Sequence, residues 1–112
     1  MKRGEIWWAS MEEPRGSEPG YRRPVVIISS NSFNESFINT VTVAVITSNL
    51  RLANAPGSFK LAKSKAGLNQ DSVVNVSQLL TLDKSFLTEQ ISKLNSKEVN
   101  SLSEGLRLAL SL

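Results

Sequence analysis

Residues 40–47, Thr-Val-Thr-Val-Ala-Val-Ile-Thr, are the stretch that most clearly decides the fold. Val41, Val43 and Val45 alternate along it, and alternate residues of a strand share one face. The pattern therefore predicts a strand, the third of the chain. Thr47 lies at its C-terminal end, where the strand leaves the core.

Two further strands are predicted on the N-terminal side of this stretch. Residues 24–29, Pro-Val-Val-Ile-Ile-Ser, are almost continuously apolar, which indicates a second strand buried on both faces. Pro24 costs no ladder hydrogen bond at the start of a strand. Residues 6–9, Ile-Trp-Trp-Ala, predict a first strand. Because adjacent strand residues face opposite sides, we expect one tryptophan in the core and the other at the surface or under a loop.

Residues 11–22 are predicted to form a long loop between the first two strands. They include two prolines, two glycines and five charged residues, a composition that excludes a regular element. Long loops in small domains are often functional, although a tolerated surface insertion has the same composition.

The C-terminal half is predicted to add three short strands and one helix. The strands are expected at residues 58–62, 72–76 and 89–94, with a loop at 48–57 and a basic connection at 63–70. Asp83 can cap a short helical turn after the fifth strand. Asn95 and Glu98 have the spacing of a capping box. An apolar stripe at helical spacing follows them and predicts a terminal helix that packs on the sheet: Val99, Leu102, Leu106, Ala109 and Leu110.

The order of these elements predicts the fold class. No strand–helix–strand alternation supports a parallel sheet, so we expect a mainly β (α+β) fold. The prediction is a small antiparallel barrel or half-barrel of five to seven strands with a C-terminal α-helix, built as a single domain over residues 1–112.

The composition excludes several classes of site. The chain has no cysteine and no histidine, so it has no disulfide, no Cys-ligated zinc, no thiol nucleophile and no Ser–His–Asp triad. It also lacks a P-loop and a dinucleotide-binding glycine motif. Any chemistry must therefore use arginine, lysine, carboxylate or hydroxyl groups.

No apolar run is long enough to span a membrane and the N-terminus does not resemble a signal peptide, so we expect a cytoplasmic protein of bacterial type.

The net charge of +3 is concentrated in the middle of the chain. Residues 36–70 contain Arg51, Lys60, Lys63 and Lys65 and no acidic residue, whereas the two flanking segments are close to neutral. A basic segment of this kind fits a surface that faces a polyanion, and it also fits a solvated, lysine-bearing loop.

Arg23 and Thr47 are the candidate site that the residues themselves indicate. If the second and third strands are neighbours, Arg23 at the base of the long loop and Thr47 at a strand exit converge on one end of the sheet. A guanidinium with hydroxyls and a carboxylate can hold a phosphodiester and stabilise its oxygens. Alternatively, Arg23 forms a salt bridge with Glu18 and the Thr47 hydroxyl bonds to backbone.

Five sequence blocks, in order, resemble the MazF/PemK family, the ribosome-independent endoribonuclease toxins of type II toxin–antitoxin systems. The blocks cover nearly the whole chain and are Gly4-Glu5-Ile6-Trp7, Gly16-Ser17-Glu18 through Arg23-Pro24-Val25-Val26, Val45-Ile46-Thr47, Gln70-Asp71-Ser72-Val73-Val74 and Ser77-Gln78-Leu79-Leu80-Thr81-Leu82-Asp83. The resemblance implies a barrel similar to SH3 domains and to the gyrase poison CcdB, and a homodimer. It also implies cleavage of single-stranded RNA without a metal or other cofactor. The partner it implies is an antitoxin, whose acidic, disordered tail we expect to cover the basic site.

The resemblance assigns roles to individual residues. Arg23 matches the family's catalytic arginine through the Arg-Pro-Val motif, and Thr47 matches its catalytic threonine. Glu18 matches the acidic residue of the loop, as a base or as a partner of Arg23. The RNA-binding residues expected around them are Ser17, Tyr21, Arg22, Ser48 and Gln78. The implied reaction is attack by the RNA 2′-OH, which leaves a 2′,3′-cyclic phosphate and a 5′-OH.

Two alternative functions use the same barrel without catalysis. One is a toxin that binds gyrase through its C-terminal helix, as CcdB-like proteins do. The other is a nucleic-acid-binding barrel in which Arg23 binds phosphate and nothing is cut.

Overall fold

The computed structural model describes residues 1–10 and 22–112. Its six strands are β1 (Glu5–Ser10), β2 (Arg22–Ile27), β3 (Thr40–Thr47), β4 (Phe59–Leu61), β5 (Ser72–Asp83) and β6 (Leu87–Lys93). Its helices are α1 (Asn31–Glu35), α2 (Lys63–Ala66) and α3 (Ser96–Leu110), and short 3-10 turns span Leu50–Asn54 and Lys84–Phe86. None of the helices in these two ranges has the length and apolarity needed to cross a membrane.

The strands form one antiparallel sheet in the order β4-β5-β3-β2-β1-β6. β3 and β2 are therefore the central pair of the sheet. The predicted mainly β fold, a curled antiparallel half-barrel with a C-terminal helix, is confirmed.

The core consists of two apolar clusters on opposite faces of the sheet. Val26 belongs to the cluster that α3 covers with Leu102 and Leu106. Val25, its neighbour in sequence, belongs to the second cluster. Both valines are fully buried, which confirms that β2 is covered on both sides. Trp7 and Trp8 are both half-buried, and of the two Trp7 packs against the second cluster, so one tryptophan contacts the core as expected without being fully buried.

The helix α3 begins at the predicted capping box. Asn95 accepts a hydrogen bond from the Glu98 backbone at 2.8 Å, and the Glu98 carboxylate accepts one from the Asn95 backbone at 2.9 Å. Further along, Gly105 lies so close to Gly57 that an added Cβ would collide with the Gly57 carbonyl. The predicted packing is wrong at the last turn, where Ala109 is exposed and Leu110 is 50% exposed.

Three other boundaries differ from the prediction. Arg22 belongs to β2 and not to the loop, of which residues 11–21 lie outside the described part of the chain. The basic connection contains the short helix α2. β5 runs on to Asp83, because β3 provides a partner along nearly its whole length.

Candidate functional site

The pairing of β2 with β3 brings Arg23 and Thr47 to the same end of the sheet. Val25 pairs with Val45 and Ile27 with Val43. Arg23 precedes Val25 by two residues and Thr47 follows Val45 by two, so both residues lie at the same end of this pair of strands. The expectation that these two strands are neighbours is confirmed.

A cavity of about 380 Å³ opens at this end of the sheet. It combines side chains from β1, β2 and β3 with the segment that leads into β5. Four of the predicted site residues line it: Arg22, Arg23, Thr47 and Ser48. The rest of the lining is Trp8, Pro24, Ile46, Leu68, Asn69, Gln70 and Ser72.

The hydroxyl of Thr47 is held in a defined orientation. Its Oγ1 accepts a hydrogen bond from the backbone N–H of Asn49 at 3.2 Å. This bond confirms the alternative in which the Thr47 hydroxyl is hydrogen-bonded to backbone at the end of the strand. A hydroxyl oxygen that accepts still has its own proton to donate. Thr47, which is half-buried, can thus donate toward a group in the cavity.

Arg23 brings a positive charge to the cavity. Its side chain is exposed on the strand just before the buried residues of β2. A guanidinium presents a planar fork of five N–H donors, which matches the oxygens of a phosphate group. Glu18, the expected carboxylate partner, lies outside the described residues, as do Ser17 and Tyr21.

The segment before β5 forms a polar wall that the residue patterns alone do not identify. Asn69, Gln70 and Ser72 contribute to the lining, and the Ser72 hydroxyl donates to the Gln70 carbonyl at 3.1 Å. Thr47 pairs with Val73, so this wall stands directly beside the hydroxyl. The sequence feature that could have indicated this wall is the polar connection at residues 63–70.

Gln78 does not line the cavity. Ala44 pairs with Leu79 while Val45 pairs with Asn75, so residues 76–78 form a bulge in β5. Gln78 is exposed in that bulge. The sequence places it in a strand but contains no sign of the bulge that moves it out of register.

Arg22 makes contacts that the sequence did not predict. Its guanidinium carbon lies 4.7 Å from the centre of the Trp8 ring. Its Nη2 donates to Glu89 Oε2 at 2.9 Å. Arg22 thus links the cavity to the β1–β6 side of the sheet, and Glu89 is a residue that sequence reasoning missed.

The basic segment is partly neutralised in the fold. Lys60 Nζ lies 3.9 Å from Asp71 Oδ2, and Asp71 Oδ1 accepts from the Lys63 backbone at 3.0 Å. The described ranges contain no group of three or more acidic side chains that could hold a metal ion. Among the described residues that line the cavity, the charged ones are Arg22 and Arg23 of β2.

Comparison with known proteins gives consistent results over the whole chain. Residues 2–110 match the family described as PemK-like, MazF-like toxin of type II toxin–antitoxin system. All 112 residues align at 42% identity with the endoribonuclease MazF6 of Mycobacterium tuberculosis strain H37Rv, covering 98% of that protein.

Solved structures of similar proteins share the architecture. The toxin MazF-mt6 of Mycobacterium tuberculosis has a TM-score of 0.80 and 27% identity, over 96% of this chain and 97% of that one. A mycobacterial endoribonuclease solved in complex with its cognate antitoxin has a TM-score of 0.78 over 100% of this chain and 96% of that one. Its identity is 21%, so that likeness concerns the fold alone.

Proposed function

Because this chain belongs to the family of PemK-like, MazF-like toxins of type II toxin–antitoxin systems, we propose that it cuts single-stranded RNA in the cavity between β2 and β3. Endoribonuclease activity follows from its identity to named endoribonucleases over its full length. The observation that supports the site assignment is the cavity at the end of β2 and β3, whose lining includes both Arg23 and Thr47.

Arg23 is proposed to stabilise the charge that develops at phosphorus. When the 2′-OH of the RNA attacks the adjacent phosphate, negative charge grows on the non-bridging oxygens. Donors that are already in place stabilise this transition state more than the ground state. The position of Arg23 supports this role, since it directly precedes the fully buried residues Val25, Val26 and Ile27 of the same strand.

Thr47 is proposed as the second donor to the same phosphate. Its hydroxyl oxygen is occupied by the Asn49 N–H, which turns the hydroxyl proton toward another acceptor. A neutral donor beside a guanidinium adds a hydrogen bond and fixes the phosphate between the two strands. In the reaction that the family resemblance implies, the 2′-OH attacks phosphorus and the 5′-oxygen is expelled, so the expected products are a 2′,3′-cyclic phosphate and a 5′-OH.

The residues of the preceding loop complete the proposal. Glu18 is proposed to take the 2′-OH proton or to hold Arg23 in place, and Ser17 and Tyr21 to contact the RNA. Arg22 and Ser48 line the cavity and are proposed to bind RNA there. Gln78 is exposed outside the cavity, so any RNA contact it makes lies further along the strand.

The cellular setting is part of the proposal. A toxin of this family acts with an antitoxin, and we propose that an acidic segment of that protein covers the two arginines of β2. We propose a homodimer that acts in the cytoplasm, where messenger RNA is available. Neutralisation then consists of blocking access to the cavity.

The test is cleavage of a randomised RNA pool by the purified chain in excess EDTA, with sequencing of the cut ends. We expect cleavage at a restricted set of sequences and no dependence on the chelator. Complete loss of cleavage in EDTA, restored by a divalent metal, would contradict the metal-free reaction. A pool that remains intact under all conditions would contradict the proposed site.

A further inference from the structure

We propose that Arg22, stacked on Trp8 and held by Glu89, forms a base-reading subsite of the RNA cavity, in which Glu89 selects bases that carry an exocyclic amino group. The inference rests on the proposed function and deepens it. It assigns a specificity-determining role to Trp8, which lines the cavity, and to Glu89, which reaches the cavity through its bond to Arg22.

The three side chains come from three neighbouring strands. Trp8 of β1 pairs with Glu89 of β6 on one side and with Pro24 of β2 on the other. Arg22 is two residues before Pro24, so it lies diagonally across from Trp8 on the same face of the sheet. The sheet itself therefore sets the order Glu89, Trp8, Arg22.

The guanidinium is oriented by contacts on two sides. The Trp8 ring lies 4.7 Å from it, and the Glu89 carboxylate binds it at 2.9 Å. The side chains of Arg22 and Glu89 nevertheless remain 55% and 66% exposed. An exposed ion pair contributes little to folding stability, so stability alone does not explain this arrangement.

An oriented guanidinium is a platform for an unpaired base. Arginine planes and aromatic rings both stack on the bases of single-stranded RNA. A base placed on the face of the Arg22 guanidinium opposite Trp8 continues the stack that the structure already contains. Since Trp8 and Arg22 line the same cavity as Arg23 and Thr47, this base lies next to the phosphate that is cut.

Glu89 adds selectivity to the stack. An ionised carboxylate only accepts hydrogen bonds, and Glu89 uses Oε2 for Arg22, which leaves Oε1 to meet the edge of the base. Cytosine, adenine and guanine each offer an amino group to such an acceptor. In uracil the one N–H of the pairing edge lies between two carbonyl oxygens. The carboxylate of Glu89 repels these two oxygens. We therefore expect uracil to be disfavoured at one position beside the cut.

The test compares the wild-type chain with Glu89→Gln on a randomised RNA pool, with sequencing of cut ends. Glutamine keeps the size of the side chain and offers an N–H to a uracil carbonyl. We expect the variant to cut the pool and to raise the relative use of uracil about tenfold at one position next to the cut, the scale of one hydrogen bond to a charged group. Glu104→Gln, an exposed carboxylate on α3, is the matched control and should keep the wild-type profile.

A second measurement reports binding without cleavage. In a Trp7→Phe background, Trp8 is the remaining tryptophan, and its fluorescence should be quenched by RNA that carries a 2′-deoxy nucleotide at the cut site. Glu89→Gln should narrow the difference in affinity between oligonucleotides with cytosine and with uracil at the selected position. If the wild-type chain cuts RNA while Glu89→Gln keeps an unchanged base profile, the subsite is wrong and the proposed function stands. If the wild-type chain cuts no RNA, the proposed function itself is wrong, and the subsite is wrong with it.

Discussion

The two ends of the β2–β3 pair both carry polar residues, but they use them in different ways. At the far end, Ser29, Asn34 and Thr42 satisfy one another: Asn34 Nδ2 donates to the Ser29 carbonyl at 2.9 Å, and the Thr42 N–H donates to Ser29 Oγ at 3.1 Å. At the near end, Arg23 and Thr47 line an open cavity. Polarity at a strand end is therefore not a sign of a site. Ser29 and Thr42 also border a cavity, of about 440 Å³, so the far end is distinguished by polar groups that are bonded to one another and not by a lack of space.

The largest expected effect is at the near end, from Arg23→Ala. Removing the charged donor should lower RNA cleavage about 10³-fold, because the phosphate oxygens lose their main stabilisation. The fold should persist, since the side chain is exposed. Single-turnover cleavage measures the loss of activity, and thermal unfolding of the same preparation measures whether the fold persists. Arg107→Ala, an exposed arginine on α3, is the control, and equal losses in the two variants would mean that charge in general and not this position is required.

The next effect is expected from Thr47→Val, which replaces a hydroxyl by a methyl of similar size. Loss of one preplaced donor should lower the single-turnover rate about 10²-fold. Thr47→Ser keeps the hydroxyl and should stay close to the wild-type rate. If valine and serine behave alike, the Thr47 hydroxyl has no part in the reaction.

A substitution at the far end should lower the stability of the protein and leave its activity unchanged. Asn34 is 6% exposed and bonded to Ser29, so Asn34→Ala should lower the free energy of unfolding by about 1–3 kcal/mol. Cleavage per folded molecule should not change. Denaturant titration and a rate measured well below the unfolding midpoint separate the two quantities, with the exposed Asn100→Ala as control. A loss of rate without a loss of stability would show that the two ends are not distinct.

The smallest effect is on the pH dependence of stability. The hydrogen bond from the Ser85 backbone to Asp83 lowers the pKa of that carboxyl. For Glu5, burial raises the pKa, but hydrogen bonds from Trp7 and Lys2 outweigh it, so the net direction is also downward. Groups with a lowered pKa in the folded state stabilise it at neutral pH, and this contribution is lost as the pH falls below their ordinary values of 3.8 and 4.5.

Asp83→Asn tests that sign. Asparagine still accepts the Ser85 hydrogen bond but does not titrate, so stability should fall less steeply with decreasing pH than in the wild-type chain. Urea unfolding at a series of pH values between neutral and acidic conditions measures the difference. Identical slopes in both proteins would contradict the contribution of this carboxyl.

The sequence predicted the sheet well because its signals were local. The alternation of Val41, Val43 and Val45 and the capping box at Asn95 and Glu98 depend only on residues close in sequence. They correspond to β3 and to the start of α3. Ala109 and Leu110 continue the same helical stripe but are exposed, because whether the rest of the fold covers the last turn of a helix is not a local property.

The site was predicted only in part, for the same reason. Arg23 and Thr47 follow from two strand ends and the assumption that the strands are neighbours. Glu89 could not be found, because it reaches Arg22 through a third strand, 67 residues away along the chain. Gln78 lies in a register shift, which depends on how β5 fits β3 and leaves no local signature.

The chemistry of the cut ends tests the central claim most directly. RNA with a defined cut site and the same RNA with a single 2′-deoxy nucleotide at that site are incubated with the chain in EDTA. A 2′,3′-cyclic phosphate and a 5′-OH on the first substrate, with no cleavage of the second, are the predicted results. Equal cleavage of both substrates, or ends that carry a 3′-OH, would contradict 2′-OH attack assisted by Arg23 and Thr47.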